Sequence, residues 1–150
     1  MSITILLETA LVCLSLNIYH EAKNQSVVGQ AAVAEVVMNR VADSRYPNTV
    51  CEVVKQGPHR PSWKDPNKEH PVRHKCQFSW YCDGKSDNPI DDIHWKKAKE
   101  IARLVLHDRI VIDVTEGATH YHANYVKPAW ARTKTRTTRI EKHIFYRWEK

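Results

Sequence analysis

Residues Ile3 to Ala22 limit what this chain can become more than any other segment. They read as one helix that is apolar or neutral almost all round, with Ile5, Leu6, Leu11, Val12, Leu14, Leu16 and Ile18 spread over every face. A helix lacking a polar face belongs in the centre of a core. It does not read as a targeting element. Glu8 interrupts it, no basic residue precedes it and no small-residue cleavage site follows. The clean apolar run is also shorter than the roughly 20 residues a membrane span needs. We expect no signal peptide and no transmembrane helix.

The rest of the chain supplies partners for that helix. Lys23 to Gln25 break it, and Ser26 is placed to cap a second helix from Val27 to about Ala42. This helix carries Gly29, Ala31, Ala32 and Ala34, small residues that allow another helix to approach closely. Arg45 to Asn48 form a turn, and Thr49 caps a short helix through Lys55 that stops at Gly57-Pro58. Residues 57–75 are polar, hold four prolines and read as a long surface loop. A helix from about Asp92 to His107 follows, with Trp95, Ala98, Ile101, Ala102, Val105 and Leu106 as its apolar stripe. Ile110 to Val114 is a short β-like run, and Ala118 to Tyr125 is either a strand or an ordered loop. Ile144-Phe145-Tyr146 is the natural anchor for the C-terminal segment. With 150 residues and 42% hydrophobic content, the expectation is one mainly α (α+β) domain with long loops, spanning 1–150.

Charge is segregated. The formal net charge is +6, and Lys127 to Lys150 hold eight Lys/Arg against two Asp/Glu, so the other residues balance. Such a basic C-terminal segment (127–150) points to an anionic partner, namely wall polymer, lipopolysaccharide or nucleic acid, or else is a solvated face. The four cysteines allow three full pairings. Cys76 and Cys82 are close enough for a local bridge, whereas Cys13 reads as a buried small hydrophobe. Their C-x5-C spacing is looser than that of structural zinc sites.

Three blocks could carry chemistry. In Tyr19-His20-Glu21-Ala22, Glu21 falls at the end of the apolar helix, where burial would raise its pKa and keep it protonated near neutral pH. Glycosidic cleavage needs such an acid, because the leaving oxygen must receive a proton. A Glu that simply reaches solvent is the competing reading. In Cys76-Gln77-Phe78-Ser79-Trp80-Tyr81-Cys82, aromatics alternate with hydrogen-bonding groups, which suits either a sugar-binding loop or a core plug. In Thr119-His120-Tyr121-His122-Ala123-Asn124-Tyr125, the two His could line a cleft or, joined by His20, bind a metal. No G-x-S-x-G, Walker, G-x-G-x-x-G or H-E-x-x-H motif is present.

Taken in order, Y-H-E-A, G-Q-A-A-V-A-E-V-V-M-N-R-V, Y-P-N-T-V, C-Q-F-S-W-Y-C-D-G, T-H-Y-H-A, a later W and H-I-F-Y resemble the cell wall hydrolase family of the spore-cortex lytic enzyme (SleB/CwlJ) type, over roughly residues 15–147. The resemblance implies a lysozyme-like, lytic-transglycosylase-like single domain acting on peptidoglycan. It implies Glu21 as the catalytic acid and Gln77, Phe78, Ser79, Trp80, Tyr121, His122 and Tyr125 as cleft residues, with no metal and no cofactor. The expected reaction is lytic transglycosylation between N-acetylmuramic acid and N-acetylglucosamine, since only Glu21 among the carboxylates has a convincing setting. Glu35, Asp83 and Glu116 are the weaker candidates for a second one. A hydrolytic muramidase is the runner-up. A zinc amidase or peptidase using His20, His120 and His122, and a non-catalytic wall binder, are the readings from other classes. A pure nucleic-acid binder would need no buried Glu. Lacking an export signal and a separate wall-binding domain, the chain looks like a bacteriophage endolysin. It would act as a monomer, held in the host cytoplasm until a holin opens the membrane, with the basic segment engaging wall polymer or lipopolysaccharide.

Overall fold

The computed structural model describes residues 3–107 and 113–150, with side chains from Thr9 onward. Four helices, α1 (Ile3–Ala22), α2 (Val27–Ala42), α3 (Val50–Val54) and α4 (Asp92–Leu106), are followed by a sheet. As its composition requires, α1 is the central element and packs on α2, α3 and α4 together. Cys13, Leu14, Ile18 and Tyr19 of α1 meet Ala34 and Val37 of α2, Val50, Val53 and Val54 of α3, and Ala98, Ile101 and Ala102 of α4. No described helix is long and apolar enough to cross a membrane.

The helix starts are set by their caps. The side chains of Ser26, Thr49 and Asp91 accept from the backbone N–H groups of Gly29, Glu52 and His94, satisfying donors that a helix cannot pair internally.

Strands β3 (His120–Ala123), β4 (Thr135–Ile140) and β5 (His143–Arg147) form an antiparallel sheet in the order β3-β5-β4. Phe145, fully buried at the centre of β5, packs with Ala118 on Ala32 and Val36 of α2. The anchor expected in the C-terminal segment is therefore real, and α2 is shared by two cores. Its small residues serve both: Ala34 lets α1 approach, while Gly29 and Ala32 admit the sheet. A Cβ at Gly29 would stand 3.1 Å from the Glu141 carboxylate, in the turn between β4 and β5.

Two expectations need correction and one open choice is settled. Residues 57–75 contain a hairpin, β1 (His59–Pro61) with β2 (Glu69–Pro71), in which each strand is exposed and ends on proline, where a missing N–H costs no ladder bond. Cys13 is buried but is no free thiol: α3 lies across α1 and brings Cys51 into a disulfide with it, across 38 residues of sequence. Ala118 to Tyr125 resolves into strand β3 and a turn. The local Cys76–Cys82 bridge is present. The β-like run Ile110 to Val114 falls mostly outside the described residues, and Asp113 and Val114 are not in a strand.

Candidate active site around Glu21

The end of α1 sends three consecutive side chains to three different places. Tyr19 is buried, and its hydroxyl accepts from the backbone N–H of Asp91, tying down the start of α4. His20 stacks on Trp80 at 4.7 Å, and its Nε2 lies 2.9 Å from the Asp87 carbonyl. One turn earlier, Asn17 accepts from Trp80 Nε1 at 2.9 Å. These contacts lock the loop from Cys76 to Asp91 onto α1. Glu21 points elsewhere, into the seam where α1 meets α2 and β3.

There Glu21 is largely buried, though some of its surface stays open. Burial pushes its carboxyl up to about 7, against the opposing pull of a contact with the Tyr121 hydroxyl and of the Arg40 charge. Desolvation is the largest of the three effects, so the net shift is upward. The Tyr121 hydroxyl is buried and makes only a loose contact with the carboxyl, short of a well-formed hydrogen bond. Burial and the nearby Glu21 together hold the phenol well above its ordinary range.

Arg40, in the last turn of α2, is 5% exposed. Its Nε donates to the Thr119 carbonyl at 2.7 Å, and its guanidinium stands 5.0 Å from the Tyr46 ring and 5.2 Å from the Phe78 ring. Its Nη1 is buried with no hydrogen-bond partner, which is costly for a charged group. The site thus holds one proton near its midpoint at neutral pH, one phenol and one cation.

The expected site residues divide sharply. Tyr121 is brought to Glu21. Phe78 and Trp80 are buried, Phe78 beneath Arg40 and Trp80 beneath His20, so they build the floor and do not face solvent. Gln77 and Ser79 are exposed on the same loop. His122 falls on the opposite side of β3 from Tyr121, as strand alternation demands, with its Nε2 2.9 Å from the Tyr146 hydroxyl. Tyr125 lies in the turn past β3 and is 81% exposed. Among the described residues no three His, Cys, Asp or Glu side chains converge to hold a metal ion.

Arg40 was missed as a site residue. Its signal was a lone cation among small apolar residues in Ala31 to Val41. Two of the three candidate second carboxylates hold other partners. Glu35 accepts from the Thr115 N–H at 2.9 Å, Asp83 accepts from the Lys85 N–H at 2.8 Å, and Glu116 sits in a left-handed loop conformation.

Comparison with known proteins agrees with this architecture. The catalytic domain of SleB from Bacillus cereus superposes with a TM-score of 0.62 at 23% identity, covering 93% of this chain and 91% of that one. The catalytic domain of the germination-specific lytic transglycosylase SleB from Bacillus anthracis gives 0.65 at 22% identity, covering 93% and 95%. Both similarities are of fold. No curated protein matches the chain. The profile of the Cell Wall Hydrolase family matches residues 24–146, starting just past Glu21 and including Arg40, Phe78 and Tyr121. With most of its length matched and its fold shared, the chain belongs to the Cell Wall Hydrolase family.

Proposed function

We propose that this protein cleaves the glycan strands of peptidoglycan between N-acetylmuramic acid and N-acetylglucosamine, as a lytic transglycosylase with Glu21 as its only acid–base group. The observation that carries the proposal is a single carboxyl held near pH 7, acted on by Tyr121 and Arg40 rather than by another carboxylate. Two-carboxylate glycosidases pair an acid with a nucleophile or base some 5–9.5 Å away. Here Glu35 and Asp83, two of the carboxylates weighed for the second role, are engaged with the backbone N–H groups of Thr115 and Lys85.

One carboxyl suffices if it works twice. Protonated Glu21 gives its proton to the glycosidic oxygen as that bond breaks, leaving positive charge at C1 of muramic acid. The resulting carboxylate then takes the proton of the muramic 6-hydroxyl as O6 bonds to C1. The products are a free 4-hydroxyl and a 1,6-anhydro ring, and Glu21 ends protonated as it began. A pKa matched to the working pH serves both halves. Arg40 stabilises the carboxylate between them, and the loosely held Tyr121 hydroxyl is free to donate to it.

The biological setting belongs to the same proposal. We read the protein as a phage endolysin, delivered from the host cytoplasm through a holin lesion, with the basic 127–150 segment holding it on the wall. Export of the protein expressed alone, without a holin, would sink that part.

Glu21→Gln tests the chemistry. It should lower release of soluble fragments from purified sacculi by at least 1,000-fold, about 4 kcal/mol of transition-state stabilisation, while the far-ultraviolet circular dichroism is unchanged. Retained activity would remove Glu21 from the mechanism.

A further inference from the structure

The face of the sheet turned away from Phe145 is lined with rings, and they connect to the Glu21 site. Arg40, beside Glu21, stands over Tyr46 at 5.0 Å. Tyr46 meets Trp148 at 6.0 Å, Trp148 meets His120 at 6.2 Å, and His120 meets Trp130 at 5.0 Å. Trp130 closes against Tyr146 at 5.2 Å and His122 at 5.7 Å. The strip is not an extension of the core, because the core lies on the other side of β5, where Phe145 packs on α2. Trp148 remains 36% exposed, and Trp130 is half-buried.

Cations accompany the rings. The Arg45 guanidinium lies 3.7 Å from the Trp148 ring, and Lys134 Nζ lies 5.1 Å from it. A surface hollow on each side extends the strip, one including Arg45, Trp148 and Lys150, the other including Lys127, Arg132 and Tyr146. His120 contributes a ring without charge: burial and the charges of Arg40, Lys134 and Arg45 push it down to about 4. Flat uncharged rings suit the apolar faces of sugars, and cations beside them suit a polymer that is itself anionic.

Resting on the proposed function, we infer that this strip is a binding track for the glycan strand beyond the bond being cleaved, with Trp130 under a sugar ring and Arg132 and Lys134 on the carboxylates the strand carries, while Arg45, paired with Asp43 at 2.8 Å, braces the Trp148 ring. Those carboxylates belong to the peptide stems, because an attached stem ties up the lactyl carboxyl of muramic acid as a neutral amide. The track places the basic segment in the substrate cleft, so that the segment holds the wall through the strand being cleaved.

The test uses the full chain. Arg132→Gln/Lys134→Gln removes two cations from the track, and Arg60→Gln/Lys64→Gln removes two from the exposed β1–β2 hairpin as a control for net charge. In the wild-type background, the ratio of kcat/KM on intact sacculi to that on a four-sugar muropeptide should fall at least fivefold for the track variant only. In the Glu21→Gln background, co-sedimentation with sacculi should weaken at least fivefold for the track variant only. Weakening that vanishes on amidase-treated, stem-free glycan supports contact with the stem carboxylates, and weakening that persists there supports the same track acting on the lactyl carboxylate that amidase uncovers on each muramic acid. Equal losses from the hairpin variant, or no loss from the track variant, would overturn the inference. Trp130→Phe, which keeps a ring against Tyr146, should show the same trend without unfolding. If the wild type releases no glycan fragments, the proposed chemistry fails, while co-sedimentation still decides whether the track binds.

Discussion

Glu21 and Arg40 present opposite problems of reading at the residue scale. Glu21 was legible because a carboxylate closing an apolar helix is anomalous wherever it points. Arg40 and Tyr121 were not legible as its partners, because they lie 19 and 100 residues further along the sequence and only the packing of α2 and β3 brings them there. Their roles make sharp predictions about pH. The first chemical step needs Glu21 protonated, so kcat/KM should fall as pH rises above about 7. Both Tyr121 and Arg40 lower the Glu21 pKa, so Tyr121→Phe and Arg40→Gln should each move that limb to higher pH. A limb unmoved in both variants would detach them from Glu21. Stability carries the same signature with a definite sign. Because the folded pKa is raised from 4.5 to about 7, the native state holds a proton that the unfolded chain has released between those values. Stability due to this group is therefore full below pH 4.5 and lost as pH rises through 7. Glu21→Gln should be roughly 1–3 kcal/mol more stable than wild type at pH 8 and close to it near pH 4, as read by urea denaturation at the two pH values.

At the scale of elements, local chemistry was readable and long-range closure was not. Ser26, Thr49 and Asp91 cap their helices through contacts only three residues away, so α2, α3 and α4 begin where their sequences say. Ser26 is also tied to the β4–β5 turn, since its backbone N–H and hydroxyl both donate to Glu141. Ser26→Ala should cost about 1 kcal/mol of stability through the cap alone. The hairpin of residues 59–71 was hidden because its strands have no apolar alternation to betray them, being held by backbone pairing at the surface. The Cys13–Cys51 bridge was hidden for a different reason: nothing near Cys13 in sequence indicates that α3 crosses it. Closing a loop of 38 residues, that bridge should contribute about 2–4 kcal/mol. Cys51→Ala should lower the urea midpoint accordingly, with an unchanged midpoint arguing against the pairing.

For the whole molecule, the decisive arrangement is one helix shared by two cores. α2 meets α1 through Ala34 and Val37 and the sheet through Ala32 and Val36, and the seam between these packings is where Glu21, Arg40 and Tyr121 meet. The dry setting that lifts the Glu21 pKa is thus a consequence of how the domain is assembled. The class of fold was legible from α1 alone. The sheet was legible in its anchor, Phe145, and in the strand-or-loop run that holds β3, but β4 was not, because it is rich in Thr and Arg and its basic residues drew attention as charge rather than as structure.

The central claim is that one carboxyl does both proton transfers, and mass spectrometry of the fragments released from purified peptidoglycan tests it most directly. The account predicts muropeptides ending in 1,6-anhydromuramic acid, one water lighter than hydrolysis products, and none from Glu21→Gln. Reducing muramic ends would contradict it, since water would then be the nucleophile and a second group would have to activate it.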